Sequence, residues 1–332
     1  MPAPLAHWGS NTAFPATFAI AGLATVALLG ILLPVLRRLQ VGQRVRDDGP
    51  ERHLSKGGTP TMGGAAMVVV VVAMVLFLLP RDPAVIAVTV ATVLAGALGF
   101  ADDYLKVALN RPLGLKGRTK ISAQVVLGAA LGAFVAYGVG RGTIIAAPGG
   151  LFYWDLGPAY PVFGALVMAG TTNAVNLTDG LDGLAAGSVA LAMPVFVLAA
   201  MAAGQTPVAL LGLAFLGATV GFLWHNFHPA RVFMGDTGSL ALGAALASMA
   251  MVTGTEIVLI LAGGLFVLET LSVVIQVVYF RRTGGRRLLK MAPLHHHLEL
   301  SGLPEVWVVL SLWGVQAFCV LVAIWTLRGM GL

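Results

Sequence analysis

The segment Met62–Pro80 reads MGGAAMVVVVVAMVLFLLP, and after Arg81 and Asp82 the segment Pro83–Phe100 reads PAVIAVTVATVLAGALGF. Neither contains a charged residue. A helix needs roughly 20 apolar residues to cross the hydrocarbon core of a bilayer, where every backbone polar group must bond internally. Two such runs, broken only by a charged pair and a proline, read as a helical hairpin across a membrane. Working outward, similar runs lie near 16–36, 121–140, 161–176, 184–203, 207–225, 238–253, 256–280 and 305–327, beside those at 62–80 and 83–100. The predicted class is an all-α polytopic membrane protein with about ten transmembrane helices, one integral membrane domain over 1–332.

Composition agrees. The 332 residues are 58% hydrophobic and 10% charged, where a soluble chain carries about 25% charged residues, so most of this surface is not meant for water. The single cysteine, Cys319, lies in an apolar run and excludes a disulfide framework or a cysteine zinc site. The stretch Met1–Thr17 has no basic region before its first apolar run, so it reads as leading into a retained helix rather than as a signal peptide.

The formal charge of +6 raises nucleic acid as a partner, but the placement of the basic residues argues for a membrane instead. Of 20 Lys and Arg, 17 fall in alternate inter-span loops, among them Arg37, Arg38, Lys56, Lys106, Lys120, Arg231 and Arg281. Only Arg81, Arg141 and Arg328 fall on the other side. The positive-inside rule makes the rich side cytoplasmic and puts both termini on the periplasmic side. The longest outer connection, near 141–160, is expected to form a small hairpin with the aromatics of Phe152-Tyr153-Trp154 at headgroup level.

Ten of the 14 acidic residues crowd the same cytoplasmic side, which the charge rule does not require. Asp102-Asp103-Tyr104-Leu105-Lys106 follows the third span. Two adjacent carboxylates at a membrane edge repel each other; a divalent cation, a cationic partner or full hydration relieves them, and a solvated helix end is the plain alternative. Asn173 to Leu184 includes Asn176, Asp179 and Asp182; the two Asp are three apart and would share one face of a helical turn, unless the segment is only an Asn/Asp/Gly turn. Asn226 and Phe233-Met234-Gly235-Asp236-Thr237-Gly238-Ser239 introduce the eighth span. Asp236 there reads either as an N-cap or, joined through a metal to an anion, as part of a phosphate site.

Lys56-Gly57-Gly58-Thr59-Pro60-Thr61 lacks the Gly-Lys-Ser/Thr ending of a Walker A loop, yet offers an ammonium and hydroxyls to a phosphate. Gly63 and Gly64 read as close helix packing. In Met291-Ala292-Pro293-Leu294-His295-His296-His297-Leu298-Glu299, three consecutive histidines would diverge by about 100° each on a helix, so they fit phosphate or sugar oxygens better than one shared zinc. Glu269, Ser272 and Gln276 make a polar stripe along the ninth span, expected to serve interhelical hydrogen bonding. Five carboxylates, glycine turns and basic residues on one membrane face suit the joining of two phosphate-bearing substrates, which needs charge neutralisation and positioning more than covalent help. A transporter would instead gather its ionisable groups near the midplane, where only Glu269 lies.

In order along nearly the whole chain, these motifs resemble the polyprenyl-phosphate N-acetylhexosamine-1-phosphate transferases. The Asp-rich motifs are shared across that family; the Met-Ala-Pro-Leu-His-His-His segment resembles the branch that takes UDP-MurNAc-pentapeptide rather than UDP-GlcNAc, which is the alternative donor. The resemblance implies ten spans, a cytoplasmic active site, Mg²⁺ dependence, a location in the bacterial inner membrane and a homodimer. The implied reaction joins UDP-MurNAc-pentapeptide to undecaprenyl phosphate, a membrane lipid, giving lipid I and UMP. Carried over by position, Asp236 is implied as metal ligand with Asp179, and Asp102, Asp103, Asp236 and His295 as catalytic. Lys56, Thr61, Lys106, Lys120, Asn176, Asp179, Asp182, Asn226, Phe233 and His296 are implied as substrate contacts, with Phe233 on the uracil. Ser311, where that pattern has a basic residue, and Leu303, where it has Trp, depart from it after the histidines.

Overall fold

The computed structural model describes residues 10–38, 58–109, 111 and 113–330. Its helices are α1 (Ser10–Arg38), α2 (Gly64–Phe77), α3 (Pro83–Val107), α4 (Gly117–Ala133), α5 (Tyr160–Thr178), α6 (Leu184–Ala202), α7 (Thr206–Asn226), α8 (Gly235–Thr253), α9 (Val258–Ala262), α10 (Gly264–Arg282), α11 (Leu294–Leu300) and α12 (Glu305–Gly329). Among the described residues, seven helical segments are long and apolar enough to cross a membrane, those built on α1, α3, α4, α6, α7, α10 and α12. The other expected spans coincide with the shorter apolar α2 and with α5 and α8.

The reason α8 reads weakly as a span is its position. Every residue from Thr237 to Thr253 is buried, so the helix touches protein rather than lipid on all sides. Its sequence is rich in Gly, Ala and Ser, which lets neighbouring backbones come close. A Cβ at Gly99 of α3 would overlap the backbone of Asp236, and one at Gly64 of α2 would overlap Gly238. The α1–α7 and α4–α5 crossings use the same device, with Gly22 against Gly217 and Gly128 against Gly164. Large apolar side chains point outward instead, as with Leu23 and Ile31 on α1, Leu271 and Ile275 on α10, and Phe318 and Trp325 on α12.

Three boundaries differ from the sequence reading, each for a local reason. Helix α3 does not stop at residue 100 but continues to Val107, so Asp102 and Asp103 lie within its last turns. The Asp102–Lys106 pair, four residues apart and 2.6 Å between Oδ2 and Nζ, supports that extension. The ninth span is two helices: Gly263 leaves helical geometry (φ −105°, ψ 27°) between α9 and α10. Between the ninth and tenth spans the histidine segment forms a short helix of its own, α11. The hairpin expected near 141–160 is present: β1 (Ile144–Ala146) pairs antiparallel with β2 (Tyr153–Asp155) in the register Ile145↔Trp154, and Phe152, Tyr153 and Trp154 are exposed.

Candidate active site

Neighbouring residues on a helix diverge by about 100°, so Asp102 and Asp103 serve different partners. Asp103 caps α8 from the side. Its Oδ1 accepts from the backbone N–H of Asp236 at 3.1 Å, and its Oδ2 accepts from the N–H of Thr237 at 2.9 Å and from Thr237 Oγ1 at 2.7 Å. These are orphan donors of a helix N-terminus, where the helix dipole also favours an anion. The capping role open to Asp236 from sequence therefore belongs to Asp103, and the Asp236 carboxylate is released for other contacts.

Asp102 Oδ1 accepts from the N–H of Leu115 at 2.7 Å. Its Oδ2 lies 2.6 Å from Lys106 Nζ and 3.5 Å from Lys120 Nζ, yet this fully buried atom has no well-directed hydrogen bond. Asp236 Oδ2 is 2.5 Å from Lys120 Nζ and 3.2 Å from Lys106 Nζ. Asp236 Oδ1 accepts from Asn176 Nδ2 at 3.1 Å, and the same amide donates to Ser239 Oγ at 2.8 Å. Of the three carboxylates Asp236 is the open one, with a side chain 15% exposed against 1% for Asp102. Lys120, counted from sequence among the inter-span loop cations, reaches this point from the first turn of α4.

Oxygens from Asp102, Asp103 and Asp236 lie within 4.8 Å of one another, close enough to share a cation. The donor set is all hard oxygen, which suits Mg²⁺ rather than a soft metal. Two ammonium groups already converge on Asp102 Oδ2 and Asp236 Oδ2, and the undirected Oδ2 of Asp102 faces the same spot. The residues fit a divalent cation.

Segment 58–64 forms one wall of this cluster. Phe233 N–H donates to Pro60 O at 2.7 Å, and the N–H groups of Gly63 and Gly64 donate to Phe233 O and Met234 O at 2.9 and 3.0 Å. Thr61 is thereby buried beside Gly235. Lys56 lies outside the described residues.

Asp179 and Asp182 do not share a helical face. Helix α5 ends at Thr178, and Gly183 adopts a left-handed conformation (φ 81°) before α6, so the intervening turn splits the two carboxylates. Asp179 stays on the cluster side; burial first, and then the charges of Asp236, Asp103 and Asp182, push its pKa up to about 8. It is not one of the three oxygens within metal-sharing distance. Asp182 Oδ2 turns to the 226–231 loop, 3.0 Å from His228 Nδ1 and 3.1 Å from the N–H of Ala230, while its own N–H donates to Glu305 Oε1 at 2.9 Å. Asp182, His228 and Glu305 also come within 4.8 Å of one another, and these hydrogen bonds account for their closeness without an ion. Asn226 ties the same turn: its Oδ1 accepts from Gly183 N–H at 3.0 Å and its Nδ2 donates to Val232 O at 2.9 Å.

The histidines take different polar partners, although the rings of His295 and His296 pack together at 4.2 Å between centroids, tilted by 59°. His295 is fully buried behind the Asp179–Gly183 turn, 3.2 Å from Glu269, and burial holds its imidazole below the ordinary pKa. His296 Nδ1 lies 3.1 Å from Glu299 Oε2, and His297 Nδ1 accepts from the N–H of Lys290 at 3.2 Å. The stripe on α10 serves this connection rather than another span. Besides the Glu269 contact, Gln276 bonds the backbone of Leu288 and Leu289, and Ser272 returns to Glu269 O within its own helix.

Sequence reasoning passed over Thr237 and Ser239, which lay inside a quoted motif without a role, and Glu305, which reads as an ordinary acid in a first turn. The Leu115 backbone donor has no sequence signal at all.

Comparison with known proteins bears on this site. The family described as glycosyl transferase family 4 matches residues 85–254, which run from α3 through α8 and hold the carboxylate cluster. The chain is 48% identical over 308 residues to a phospho-N-acetylmuramoyl-pentapeptide-transferase of Moorella thermoacetica, covering 93% of this chain and 96% of that one. Similar enzymes of the same name from Geobacillus kaustophilus and Bacillus subtilis are 46% and 44% identical, over 90% and 88% of this chain and 92% and 90% of theirs.

Proposed function

Because this chain belongs to the phospho-N-acetylmuramoyl-pentapeptide transferases, we propose that its carboxylate–lysine cluster moves phospho-MurNAc-pentapeptide from UDP-MurNAc-pentapeptide onto undecaprenyl phosphate, giving lipid I and UMP. The observation that carries the reading is the meeting of Asp102, Asp103 and Asp236 within 4.8 Å under two lysines. The relatives' shared name weighs against UDP-GlcNAc as the donor. The chain acts as one membrane unit with ten crossings, its cluster at the cytoplasmic face of the bacterial inner membrane and both termini periplasmic; 17 of 20 basic residues support that orientation. It works as a homodimer.

In this reading Asp102 and Asp236 would hold Mg²⁺ with Asp103 behind them, and Asp179 would lie next to the substrate. Bound there, Mg²⁺ supplies neutralisation of the charge that builds on the departing UMP. Lys106 and Lys120, which reach Asp102 and Asp236, are the cations for the diphosphate and the lipid phosphate. A phosphate oxygen of the lipid attacks the β-phosphorus of the nucleotide sugar, and the bond from that phosphorus to the bridging oxygen breaks, leaving with UMP. Such a transfer depends on positioning and charge neutralisation rather than an enzyme nucleophile. Asp103, with both oxygens on the α8 N-terminus, is a positioning residue here. Phe233, Asn176, Asp182 and Asn226 flank the nucleotide, Lys56, Thr61 and His296 take phosphate or sugar oxygens, and the outer face of α10 receives the isoprenoid chain.

Radiolabel transfer from UDP-MurNAc-pentapeptide to lipid, with and without Mg²⁺, tests the reading. Wild type should give lipid I and UMP only with the metal, and Asp236→Asn should release no UMP while remaining folded. Wild-type-like release by that variant rejects the assigned site. Capture of a phospho-sugar on the enzyme without lipid acceptor rejects the direct attack.

A further inference from the structure

Glu269 and His295 are each fully buried, one on α10 and one on α11. Glu269 Oε2 accepts from the backbone N–H of His295 at 3.4 Å and sits 3.2 Å from its Nδ1, a distance of ion-pair closeness without hydrogen-bond direction. Glu269 Oε1 and both ring nitrogens of His295 are buried with no hydrogen-bond partner. Leaving three such atoms unsatisfied is costly, and apolar side chains of the same volume would fill the space without that cost. The far side of the imidazole explains what it does. A Cβ at Gly180 would overlap His295 Nε2, so the ring is wedged against the backbone of the residue that follows Asp179. No other residue type fits at 180 without displacing either the ring or the turn.

We propose that Glu269 and His295 are positioning residues: the α10 carboxylate fixes the imidazole, and the imidazole sets the Asp179–Gly183 turn and with it the place of Asp179 beside Asp103 and Asp236. The proposal rests on the transferase reading for its activity readout but not for its structural one. His295 acts from behind the turn, and its burial keeps it off the substrates.

The full chain, purified in detergent, tests this with Glu269→Ala, Glu269→Gln, Gly180→Ala and the double variant Glu269→Ala/Gly180→Ala. Hydrogen exchange of residues 178–184 is followed without substrates, and kcat and both KM values are followed by UMP release. A displacement of about 1 Å in such a site costs on the order of 100-fold in rate. Glu269→Ala and Gly180→Ala should each lower kcat by about 10- to 100-fold, leave the KM for the lipid within about twofold, and loosen 178–184. Glu269→Gln, which keeps an acceptor for the ring, should recover most of the rate and the protection. The double variant should lose no more than the worse single one, because both act through one ring. Multiplying losses, or unchanged exchange in a folded Glu269→Ala, overturns the proposal. If Glu269→Ala does not fold, His295→Ala is added to Gly180→Ala: removing the ring must raise that variant's thermal midpoint, and no rise overturns the proposal. Absence of UMP release from wild type refutes the transferase reading alone, since the exchange comparison still decides the positioning role.

Discussion

Asp103→Asn separates a capping carboxylate from a reacting one. The native side chain accepts three hydrogen bonds from the first turn of α8, two on Oδ2 and one on Oδ1. An amide keeps a single acceptor. If its oxygen stays on Thr237, its NH₂ faces the N–H of Asp236, donor against donor in a buried site. One hydrogen bond to a charged group is lost, worth about 1.5–3 kcal/mol, and the anion's attraction to the helix end, about 0.3–1 kcal/mol, goes with it. The expected destabilisation is about 2–4 kcal/mol, or roughly 4–8 °C in thermal midpoint for a large chain. Asp236→Asn, less than 5 Å away, leaves every backbone donor satisfied and leaves Asp102 as partner for both lysines. Its midpoint should fall by less than half as much, although both variants lose transferase activity. The assay is thermal unfolding in detergent without divalent cation, with activity measured on the folded fraction. Equal shifts, or an unshifted Asp103→Asn, would refute the division of labour between the two carboxylates.

Packing, pH and a buried ion pair give three more expectations. Gly99→Ala places a Cβ inside the Asp236 backbone and should cost about 1–3 kcal/mol together with activity, whereas Gly30→Ala, mid-helix with nothing within 4 Å, should leave the midpoint unchanged or slightly raised. The Asp179 pKa rises from 3.8 unfolded to about 8 folded, so between these values the folded chain keeps a proton that the unfolded chain has lost. The stability this confers is therefore lost as pH rises through about 8; the metal-free midpoint should drop between pH 6 and 9, and Asp179→Asn should flatten that drop. Arg141 Nη2 lies 2.8 Å from the buried Glu256 Oε1, which Tyr160 also contacts, so Arg141→Ala should cost about 3–5 kcal/mol in thermal unfolding while activity per folded molecule is retained.

The helical fold was legible because the bilayer demands long apolar helices. That signal weakens where lipid is absent. Helix α8 is enclosed by protein, so its sequence answers to close packing rather than to hydropathy. The break at Gly263 was hidden for a related reason: the apolar run continues across it, and the backbone groups freed there are met by Gln316 of the neighbouring α12, which accepts from Leu265 N–H and donates to Ala262 O.

The site was legible as a set of residue types and not as a set of partnerships. Asp102, Asp103, Asp236, Lys106, Lys120 and Asn176 do converge, from three motifs and the first turn of α4. Spacing alone misassigned how they are used. Adjacent aspartates on a helix must face apart, but which one meets α8 depends on where α3 crosses it, and that crossing is set by Gly99 against the Asp236 backbone. Close approach at Gly99 brings the α8 N-terminus within reach of Asp103; a bulkier residue there would hold α8 off and leave its first N–H groups without an acceptor. The glycine thus decides that Asp103 caps the helix, that Asp236 does not need to, and that Asp236 stands free to meet the lysines and a cation.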